Sequence, residues 1–412
     1  MIIVTKWKET EIGKIPEEWG LIRIGDLFFV KNGKTNTQDA VTNGNYPLFD
    51  RSTQIKSSNK YLFDLDAIII PGEGKEFVPR YFSGKFDLHQ RAYAITPKTK
   101  NICVKFFYYW MYYYRTYLER IAVGSTVRSL RLDHLVSFPA PNPILEEQKA
   151  IAKILSDLDS NIELNNQMNA TLEAMAQAIF KHWFIDFEFP DENGKPYKSS
   201  GGKMVDSELG EIPEGWHISK VGKELQTALG GTPSTRKKEY WTNGDIPWIN
   251  SGQVNEFRII EPSAYITKDA LDSSATKLMP KGTTVIAITG ATLGQVSIIE
   301  SEMCGNQSVI GIIHNKSISS EYIYFWIKTH ITELISNQTG GAQQHINKDN
   351  VNSLDLLVPL DYIMKCFIEK IRPIFNQISN NCFESLNLSK IRDTILPKLM
   401  SGQIRVPVEV AK

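Results

Sequence analysis

The sequence predicts an α+β protein in which two globular domains, in a pseudo-twofold arrangement, are separated by a long antiparallel coiled coil of two helices. Three observations lead to this fold class. The chain has 412 residues, more than one hydrophobic core usually serves. Its two halves repeat each other, and each half ends in a long segment with helical periodicity.

The internal repeat is carried by motifs that recur at a regular shift. Residues 13–19 (GKIPEEW) recur as residues 210–216 (GEIPEGW), a shift of 197. Further along, the shift settles at 216 and pairs Trp110 with Trp326. The second copy has therefore gained about 19 residues in between. We expect the two halves to share one fold.

A long helix is predicted at the end of each half. Residues 144–182 contain no Pro or Gly, and their apolar residues recur near a 3.5-residue period, as they also do over 361–400. At 1.5 Å per residue such a helix is about 58 Å long, more than the width of a domain of this size. The two helices are therefore expected to pair with each other; the alternative is that each packs on its own domain.

Both apolar stripes are interrupted by an asparagine at the same place in the repeat, and one polar core position can fix the register of a coiled coil. Pro373 is expected to bend the second helix or to end an opening turn. The stripes include Met168, Met175 and Ile391. The predicted coiled-coil core positions are Leu155, Leu158, Ile162, Asn165, Leu172, Ile371, Ile374, Ile378, Asn381 and Leu388.

The domain boundaries follow from the repeat and the helices. We predict a first domain at 1–143, a first long helix at 144–183, a linker at 184–205, a second domain at 206–360, a second long helix at 361–400 and a C-terminal tail at 401–412. The linker is rich in Pro, Gly, Asn and Ser, which favour turns and flexibility. The two halves are expected to fold largely independently.

The charge of the chain is balanced overall but not locally. The 46 Lys and Arg equal the 46 Asp and Glu, which argues against a protein that coats nucleic acid along its whole surface. Residues 1–145 carry 20 basic against 14 acidic residues, whereas 146–192 carry 3 against 10. Any contact with DNA must therefore be local and must avoid the acidic segment.

The cysteines and the apolar runs indicate the setting of the protein. The four cysteines lie far apart, without the spacing of a metal site, so reduced thiols and no bound metal are expected. No apolar run is long enough for a signal peptide or for a membrane span of about 20 residues. We expect a cytoplasmic protein without a membrane partner.

Catalytic motifs are missing from the sequence. It contains no phosphate-binding loop, no dinucleotide fingerprint, no zinc-protease motif and no nucleophile elbow. The glycine-rich residues 71–75 (PGEGK) are interpreted as a turn, and His89 as a structural histidine. The aromatic run from Phe106 to Tyr114 is expected to form core rather than a surface on which bases stack.

Each half has loops that are dense in hydrogen-bonding side chains. Arg, Lys, Asn and Gln read base edges in the major groove, while Ser and Thr suit phosphates. His89-Gln90 aligns with Asn306-Gln307 at a shift of 217, so such loops recur in equivalent places. The candidate DNA-binding residues are Lys34, Thr35, Lys75, Gln90, Arg91, Ser125, Thr126, Arg128, Thr232, Ser234, Arg236, Lys237, Lys238, Asn250, Ser251, Thr292, Gln307, Gln343 and Gln344.

Taken together, these features resemble the specificity subunits of Type I restriction-modification systems. The resemblance covers nearly the whole chain. Its most specific parts are the openings at 15–19 (IPEEW) and 212–216 (IPEGW), the helix entry at 143–151 (PILEEQKAI) and the ending at 396–402 (LPKLMSG). Residues 230–248 with 340–346 also look like a target-recognition domain of that family. The first domain departs from this pattern because it lacks the GTPS and PW motifs of the second.

The resemblance implies a non-catalytic subunit whose two target-recognition domains each read one part of a bipartite sequence in double-stranded DNA. The helices would set the spacer and dock two methyltransferase subunits, through which the restriction and translocase subunits join. S-adenosylmethionine, ATP and Mg²⁺ would be bound by those partners, and no cofactor by this chain.

Two other function classes stay open at this point. A diverged DNA methyltransferase or nuclease pair would bind S-adenosylmethionine or cut DNA by itself. A coiled-coil scaffold would instead use its two domains to bind proteins or glycans.

Overall fold

The computed structural model describes residues 6–336 and 345–407, which form two compact units. Unit 1 contains the chain up to Glu163 together with the chain from Leu386 onward, and unit 2 contains Leu164–Ser385. Both units mix helices and sheets, in agreement with the α+β class. Each long helix contributes one part to each unit.

The strands and short helices of unit 1 all precede the first long helix in the described part of the chain. Its strands are β1 (Trp7–Thr10), β2 (Gly13–Pro16), β3 (Gly20–Arg23), β4 (Phe28–Asn32), β5 (Tyr46–Phe49), β6 (Lys56–Ser58), β7 (Phe63–Pro71), β8 (Glu73–Gly74), β9 (Arg80–Leu88), β10 (Ala92–Pro97), β11 (Arg128–Ser129) and β12 (Pro139–Asn142). Its helices are α1 (Ile24–Leu27), α2 (Val104–Tyr113), α3 (Arg115–Ile121) and α4 (Leu132–Val136), with a 3-10 turn at Thr37–Asp39.

The first long helix is α5 (Leu145–Phe184), and the secondary structure of unit 2 follows it. The strands are β13 (Met204–Val205), β14 (Ile212–Pro213), β15 (His217–Lys220), β16 (Gln226–Leu229), β17 (Ile246–Ile249), β18 (Ala264–Ile266), β19 (Leu278–Met279), β20 (Thr284–Ala287), β21 (Val296–Ile298), β22 (Met303–Gly305), β23 (Val309–Ile313) and β24 (Asp355–Val358). The helices are α6 (Val221–Glu224), α7 (Lys268–Asp272), α8 (Ser320–Ser336), α9 (Lys348–Ser353) and the second long helix, α10 (Asp361–Met400), with 3-10 turns at Lys238–Tyr240, Ser251–Asn255 and Gly290–Thr292.

The main sheet of unit 1 has six strands in the order β4-β10-β7-β9-β5-β6. All its neighbours are antiparallel except β5 and β9, which run parallel. Helix α2 completes the core of this unit, because Phe106, Phe107 and Trp110 are almost fully buried. The interpretation of the aromatic run as core is confirmed.

Unit 2 repeats this plan with its sheet divided in two. The orders are β16-β23-β20-β21 and β18-β17-β22-β19, and here β17 and β22 form the parallel pair. Strands β21 and β22 together correspond to the single strand β9 of unit 1. The buried residues Tyr322 to Trp326 on α8 take the place of the aromatic run on α2.

Within each unit, the start of one long helix meets the end of the other. In unit 1, Asp159 on α5 accepts a hydrogen bond from Nη1 of Arg392 on α10 at 2.7 Å, and a second from the Tyr109 hydroxyl of α2 at 2.6 Å. In unit 2, Trp183 at the end of α5 packs on Phe367 near the start of α10, with ring centroids 5.9 Å apart. Each part of a long helix is thereby attached to the core of its unit.

Several details of the helices differ from the sequence-based expectation. Helix α10 runs through Pro373 without interruption, so this proline does not end an opening turn. Of the predicted core positions, Leu155, Ile371 and Ile378 are fully buried. Met168, Met175 and Ile391 were wrongly included in the stripes, because their side chains are 39%, 51% and 50% exposed.

The asparagines of the stripes are buried but do not pair with each other. Asn381 donates from Nδ2 to Oδ1 of Asn169 at 2.9 Å, and Asn165 donates to Glu384 at 3.2 Å. Asn169 in turn donates to the Cys382 sulfur at 3.3 Å, where burial raises the pKa of the thiol to about 11. A polar layer thus replaces the apolar core at this level of the helices.

The segment after each long helix packs on the tryptophan of an opening motif. In unit 1, Arg405 donates from Nε to Oε1 of Glu147 at 2.8 Å, and its guanidinium lies over the ring of Trp19. The indole of Trp19 donates to the same carboxylate at 3.0 Å. In unit 2, Phe189 stacks on Trp216 with ring centroids 5.1 Å apart. Among the described helices, none has the length and apolarity needed to cross a membrane.

Replacement of a buried stripe residue should cost far more stability than replacement of an exposed one. We expect Leu155→Ala to lower the free energy of unfolding by about 2–5 kcal/mol, because it leaves a cavity in the core of unit 1. Met175→Ala, at an exposed position of the same helix, should change it by less than about 0.5 kcal/mol. Urea unfolding followed by circular dichroism measures both, and equal losses would contradict the observed burial.

Candidate nucleic-acid interface

The polar loops of unit 2 meet at the carboxyl ends of its parallel strands. Asn250 follows β17 and Asn306 follows β22, and the amide of Asn306 donates to the carbonyl of Ile249 at 2.9 Å. Each asparagine caps the turn that it begins: Oδ1 of Asn250 accepts from the amide of Gly252 at 2.8 Å, and Oδ1 of Asn306 from that of Ser308 at 3.0 Å. Both turns are therefore held rigidly.

A glycine pair closes over these strand ends. The amide of Gly231 donates to the carbonyl of Gly305 at 2.8 Å, and a Cβ on Gly230 would lie 2.2 Å from the carbonyl oxygen of Asn306. Only glycine fits there. The close approach brings Thr232 to Gln307, with a hydrogen bond between their side chains. We call residues 230–232, 249–251 and 305–308 the strand-end platform of unit 2.

The remaining candidates of unit 2 lie around this platform. Ser234, Arg236, Lys237 and Lys238 are exposed on the loop that continues from Thr232. Lys237 donates to the Tyr240 hydroxyl at 2.9 Å, and this hydrogen bond raises the pKa of its ammonium.

Two of the other candidates of unit 2, Ser251 and Thr292, lie in 3-10 turns. Ser251 begins a 3-10 turn, and Thr292 ends another in the loop whose Thr289 bonds Ser308 at 2.7 Å. Gln343 and Gln344 lie outside the described residues.

Unit 1 builds the same platform from different side chains. The amide of His89, after β9, donates to the carbonyl of Phe49 at the end of β5 at 2.9 Å. Nδ1 of His89 accepts from the amide of Arg91 at 3.0 Å, as Asn306 does from Ser308. A Cβ on Gly33 would lie 1.9 Å from the carbonyl oxygen of Leu88. The platform of unit 1 therefore comprises residues 33–35, 49–51 and 88–91.

The predicted equivalence of His89-Gln90 with Asn306-Gln307 agrees with this geometry. Gln90 is exposed and donates to Oδ1 of Asn36 at 2.6 Å, and Lys34 is exposed beside it. Arg128 is the first residue of β11 and pairs with Gly74 of β8, and Lys75 follows β8 directly. Ser125 and Thr126 occupy the tip of the hairpin closed by Val123 and Ser129.

Thr35 is a correction to the predicted interface. Its side chain is only 1% exposed, and its hydroxyl donates to the buried carboxylate of Asp87 at 2.8 Å. Asp87 also accepts from the Ser58 hydroxyl and from the amide of Leu88. Thr35 therefore holds the glycine loop in place and does not face a ligand.

Arg51 belongs to the platform of unit 1, although sequence reasoning missed it. It follows β5 as Ser251 follows β17, and both it and Arg91 donate to the carboxylate of Glu73, at 2.7 and 2.9 Å. The sequence did contain a signal for Arg51: strands β5 and β17 align at a shift of 200, which pairs Arg51 with the candidate Ser251. None of the shifts found from the motifs, 197, 216 and 217, applies to this strand.

The sequence matches one known protein family twice. A model of the Type I restriction modification DNA specificity domain matches residues 16–174 and again residues 213–390. The chain belongs to this family. The two matches begin in the two opening motifs, and each includes one of the two platforms.

Individual members of the specificity family align along the whole chain. It is 26% identical over 430 residues to the Type I restriction enzyme MjaIX specificity subunit of Methanocaldococcus jannaschii, covering 98% of this chain and 97% of the relative. It is 23% identical over 462 residues to the HindI specificity subunit of Haemophilus influenzae, covering 97% and 100%. The S subunit of a Type I restriction-modification system from M. genitalium shares the fold, with a TM-score of 0.59 over 97% of this chain and 99% of that chain at 17% identity.

Specificity subunits recognise DNA sequence and leave catalysis to other subunits. The chain is accordingly a non-catalytic DNA-recognition subunit of a Type I restriction-modification system, and the family resemblance of its sequence is confirmed.

His89 should make the stability of unit 1 depend on pH. Burial, with the nearby charge of Arg51, lowers the pKa of His89 in the folded chain, and Nδ1 must stay unprotonated to accept from Arg91. The unfolded chain then binds more protons, so stability is complete above the ordinary histidine pKa of about 6.5 and is lost as the pH falls below it.

His89→Asn should flatten this dependence, because an asparagine fills the same place in unit 2. Urea midpoints between about pH 5.5 and 7.5 measure the effect. His217→Asn, at an exposed residue of unit 2, is the matched control and should leave the pH dependence as it is. A His89 variant with the pH profile of the unchanged protein would rule out this role.

Proposed function

We propose that each unit reads one half of a bipartite, asymmetric duplex target, and that the two long helices set the spacer between the halves. The observation that carries this proposal is that both units have the same strand-end platform with different exposed side chains. A shared backbone with divergent side chains suits two readers of different sequences.

The platforms differ in the groups they offer. Unit 2 presents the hydroxyl of Thr232 and the amide of Gln307, whereas unit 1 presents Lys34, Gln90 and Arg91. Glutamine and asparagine pair with adenine in two-point contacts, and arginine with guanine. The two half-sites should therefore differ in sequence.

The helices are proposed to form an antiparallel coiled coil that relates the domains by a pseudo-twofold axis. Support comes from the contacts within each unit, where the start of one helix meets the end of the other. A helix of 40 residues is about 60 Å long. Two such helices side by side would make a rigid spacer.

The partners are proposed from the family and from the charge of the chain. Residues 146–192, most of them on α5, carry 10 acidic against 3 basic residues, a surface that repels phosphate and suits contact with protein. We propose that two methyltransferase subunits dock along the helices, that the restriction and translocase subunits join through them, and that these partners bind S-adenosylmethionine, ATP and Mg²⁺. The complex would act in the cytoplasm.

The function is tested by binding selection with the full chain and the modification subunits of its host. From a library of random duplexes, the complex should enrich a gapped, asymmetric sequence and keep its preference as salt rises, since phosphate-only attraction fades steeply with salt. Enrichment of no sequence would favour a scaffold that binds proteins or glycans. Methylation or cleavage by the chain alone would favour an enzyme.

The spacer proposal makes a geometric prediction. Insertion of four residues at equivalent places in α5 and α10 adds about 6 Å to each helix, close to two base pairs at 3.4 Å each. The gap in the selected sequence should widen by one or two base pairs, while both half-sites stay the same. The same insertion in the exposed turn at Asp191–Lys195 should leave the gap as it was, and an unchanged gap in the helix variant would refute the spacer.

Independent reading predicts damage to one half-site at a time. Arg128→Gln should relax the half-site of unit 1, and Gln307→Ala that of unit 2, each by about 1–3 kcal/mol per lost two-point contact. Affinities for duplexes altered in one half-site measure this. Equal losses at both half-sites in either variant would contradict separate reading.

A further inference from the structure

Arg51 and Arg91 form a pair of guanidinium groups on one carboxylate at the platform of unit 1. Nη1 of Arg51 donates to Oε2 of Glu73 at 2.7 Å, and Nη1 of Arg91 lies 2.9 Å from both carboxylate oxygens. Glu73 is the less exposed partner, with 20% of its side chain accessible against 45% and 55% for the arginines. The carboxylate therefore sits beneath two outward-facing cations.

The loop that carries Arg51 is braced on both sides. The preceding residue, Asp50, is 6% exposed and accepts from the amide of Ser52 at 2.8 Å and from the Lys56 ammonium at 2.6 Å. Arg80 donates to the carbonyl of Ser52 at 2.6 Å. Arg91 follows the His89 turn described above. Both arginines thus start from fixed backbone, which reduces the entropy lost when their side chains bind.

Each arginine keeps most of its donors. A guanidinium has five N–H groups, and within the described residues the structure pairs only Nη1 of Arg51 and of Arg91. The remaining Nε–Nη2 edge is a planar fork of two parallel donors. That fork matches the O6 and N7 acceptors on the major-groove edge of guanine, a match that lysine does not reproduce.

The charge balance also favours a nucleic-acid ligand. Burial would raise the pKa of Glu73, but the hydrogen bonds and charges of Arg91 and Arg51 outweigh it and lower the pKa, so the carboxylate stays ionised. Two guanidiniums on one carboxylate leave one positive charge. At the equivalent places of unit 2 stand the uncharged Ser251 and Ser308. This cationic pair is therefore a property of unit 1.

We propose that Arg51 and Arg91 read guanine, with Glu73 as the positioning residue that orients both guanidiniums, so that the half-site of unit 1 contains at least one guanine. This inference rests on the proposed function of the platforms. It adds the base that is read and the residues that read it.

The test uses the full chain with the modification subunits of its host and the selection described above. The unchanged protein should enrich a half-site with guanine opposite unit 1. Arg51→Gln and Arg91→Gln should each lose preference for a guanine there and bind the selected duplex about 10- to 100-fold more weakly. Glu73→Gln should weaken the base preference at the same positions. The thermal midpoint of the free Glu73→Gln protein should stay close to that of the unchanged protein.

Two comparisons separate base reading from phosphate contact. Arg51→Lys keeps the charge but not the fork, so it should lose the guanine preference as Arg51→Gln does. Replacement of the guanine by 7-deazaguanine, which has a C–H in place of N7, should weaken binding of the unchanged protein and have little further effect on the variant of the arginine that reads that base.

Arg23→Gln is the matched control, because Arg23 is also an exposed arginine in an ion pair of unit 1, with Glu11 at 2.7 Å, but it lies on β3 in a different sheet. It should retain the full motif. A gapped motif without guanine in the half-site of unit 1, or full selectivity in Arg51→Lys, would overturn the proposal and leave the function of the chain intact. A chain that selects no gapped motif would instead overturn the function itself.

Discussion

No side chain fits where a glycine loop crosses the ends of the parallel strands in each unit. At Gly33 and Gly230 a Cβ would lie 1.9 and 2.2 Å from a carbonyl oxygen of the neighbouring turn. His89 or Asn306 holds that turn twice: its amide donates to the carbonyl of the neighbouring strand end, and its side chain accepts from an amide of the turn. Because backbone contacts make the platform, its exposed side chains are free to diverge, and the separate reading of two half-sites depends on this freedom.

The polar layer in the long helices fits the proposed antiparallel pair better than a parallel one. Asn165 and Asn381 occupy equivalent places in the repeat, yet Asn381 bonds Asn169 and Asn165 bonds Glu384. In an antiparallel pair, equivalent residues face each other only at the centre of the repeat. In the proposed antiparallel pair, the bond between residues 381 and 169 sets that centre near Gln167 and Phe383, so the two asparagines lie on opposite sides of it and meet other partners.

Much of this fold could be predicted because its signals are periodic. The long helices, the buried aromatic runs and the equivalence of His89 with Asn306 all follow from spacing in the sequence. Thr35 and Arg51 could not be placed in that way. A buried threonine bonded to Asp87 and an exposed one have the same sequence signature, and Arg51 became visible only when the alignment of β5 with β17 revealed a shift that the motifs do not show. Side-chain burial depends on contacts between distant segments, which periodicity does not encode.

Unit 1 is built from two separate stretches of the chain, and this affects the order in which the two units can fold during synthesis. Unit 2 is one continuous stretch of chain, whereas unit 1 needs both the first 163 residues and those from Leu386 onward, including the Arg405 clasp on Glu147 and Trp19. During vectorial synthesis on the ribosome, the second-encoded unit has all its residues first. The first-encoded unit must wait, with the surface that receives Leu396, Leu399 and Met400 uncovered, until those residues have been synthesised.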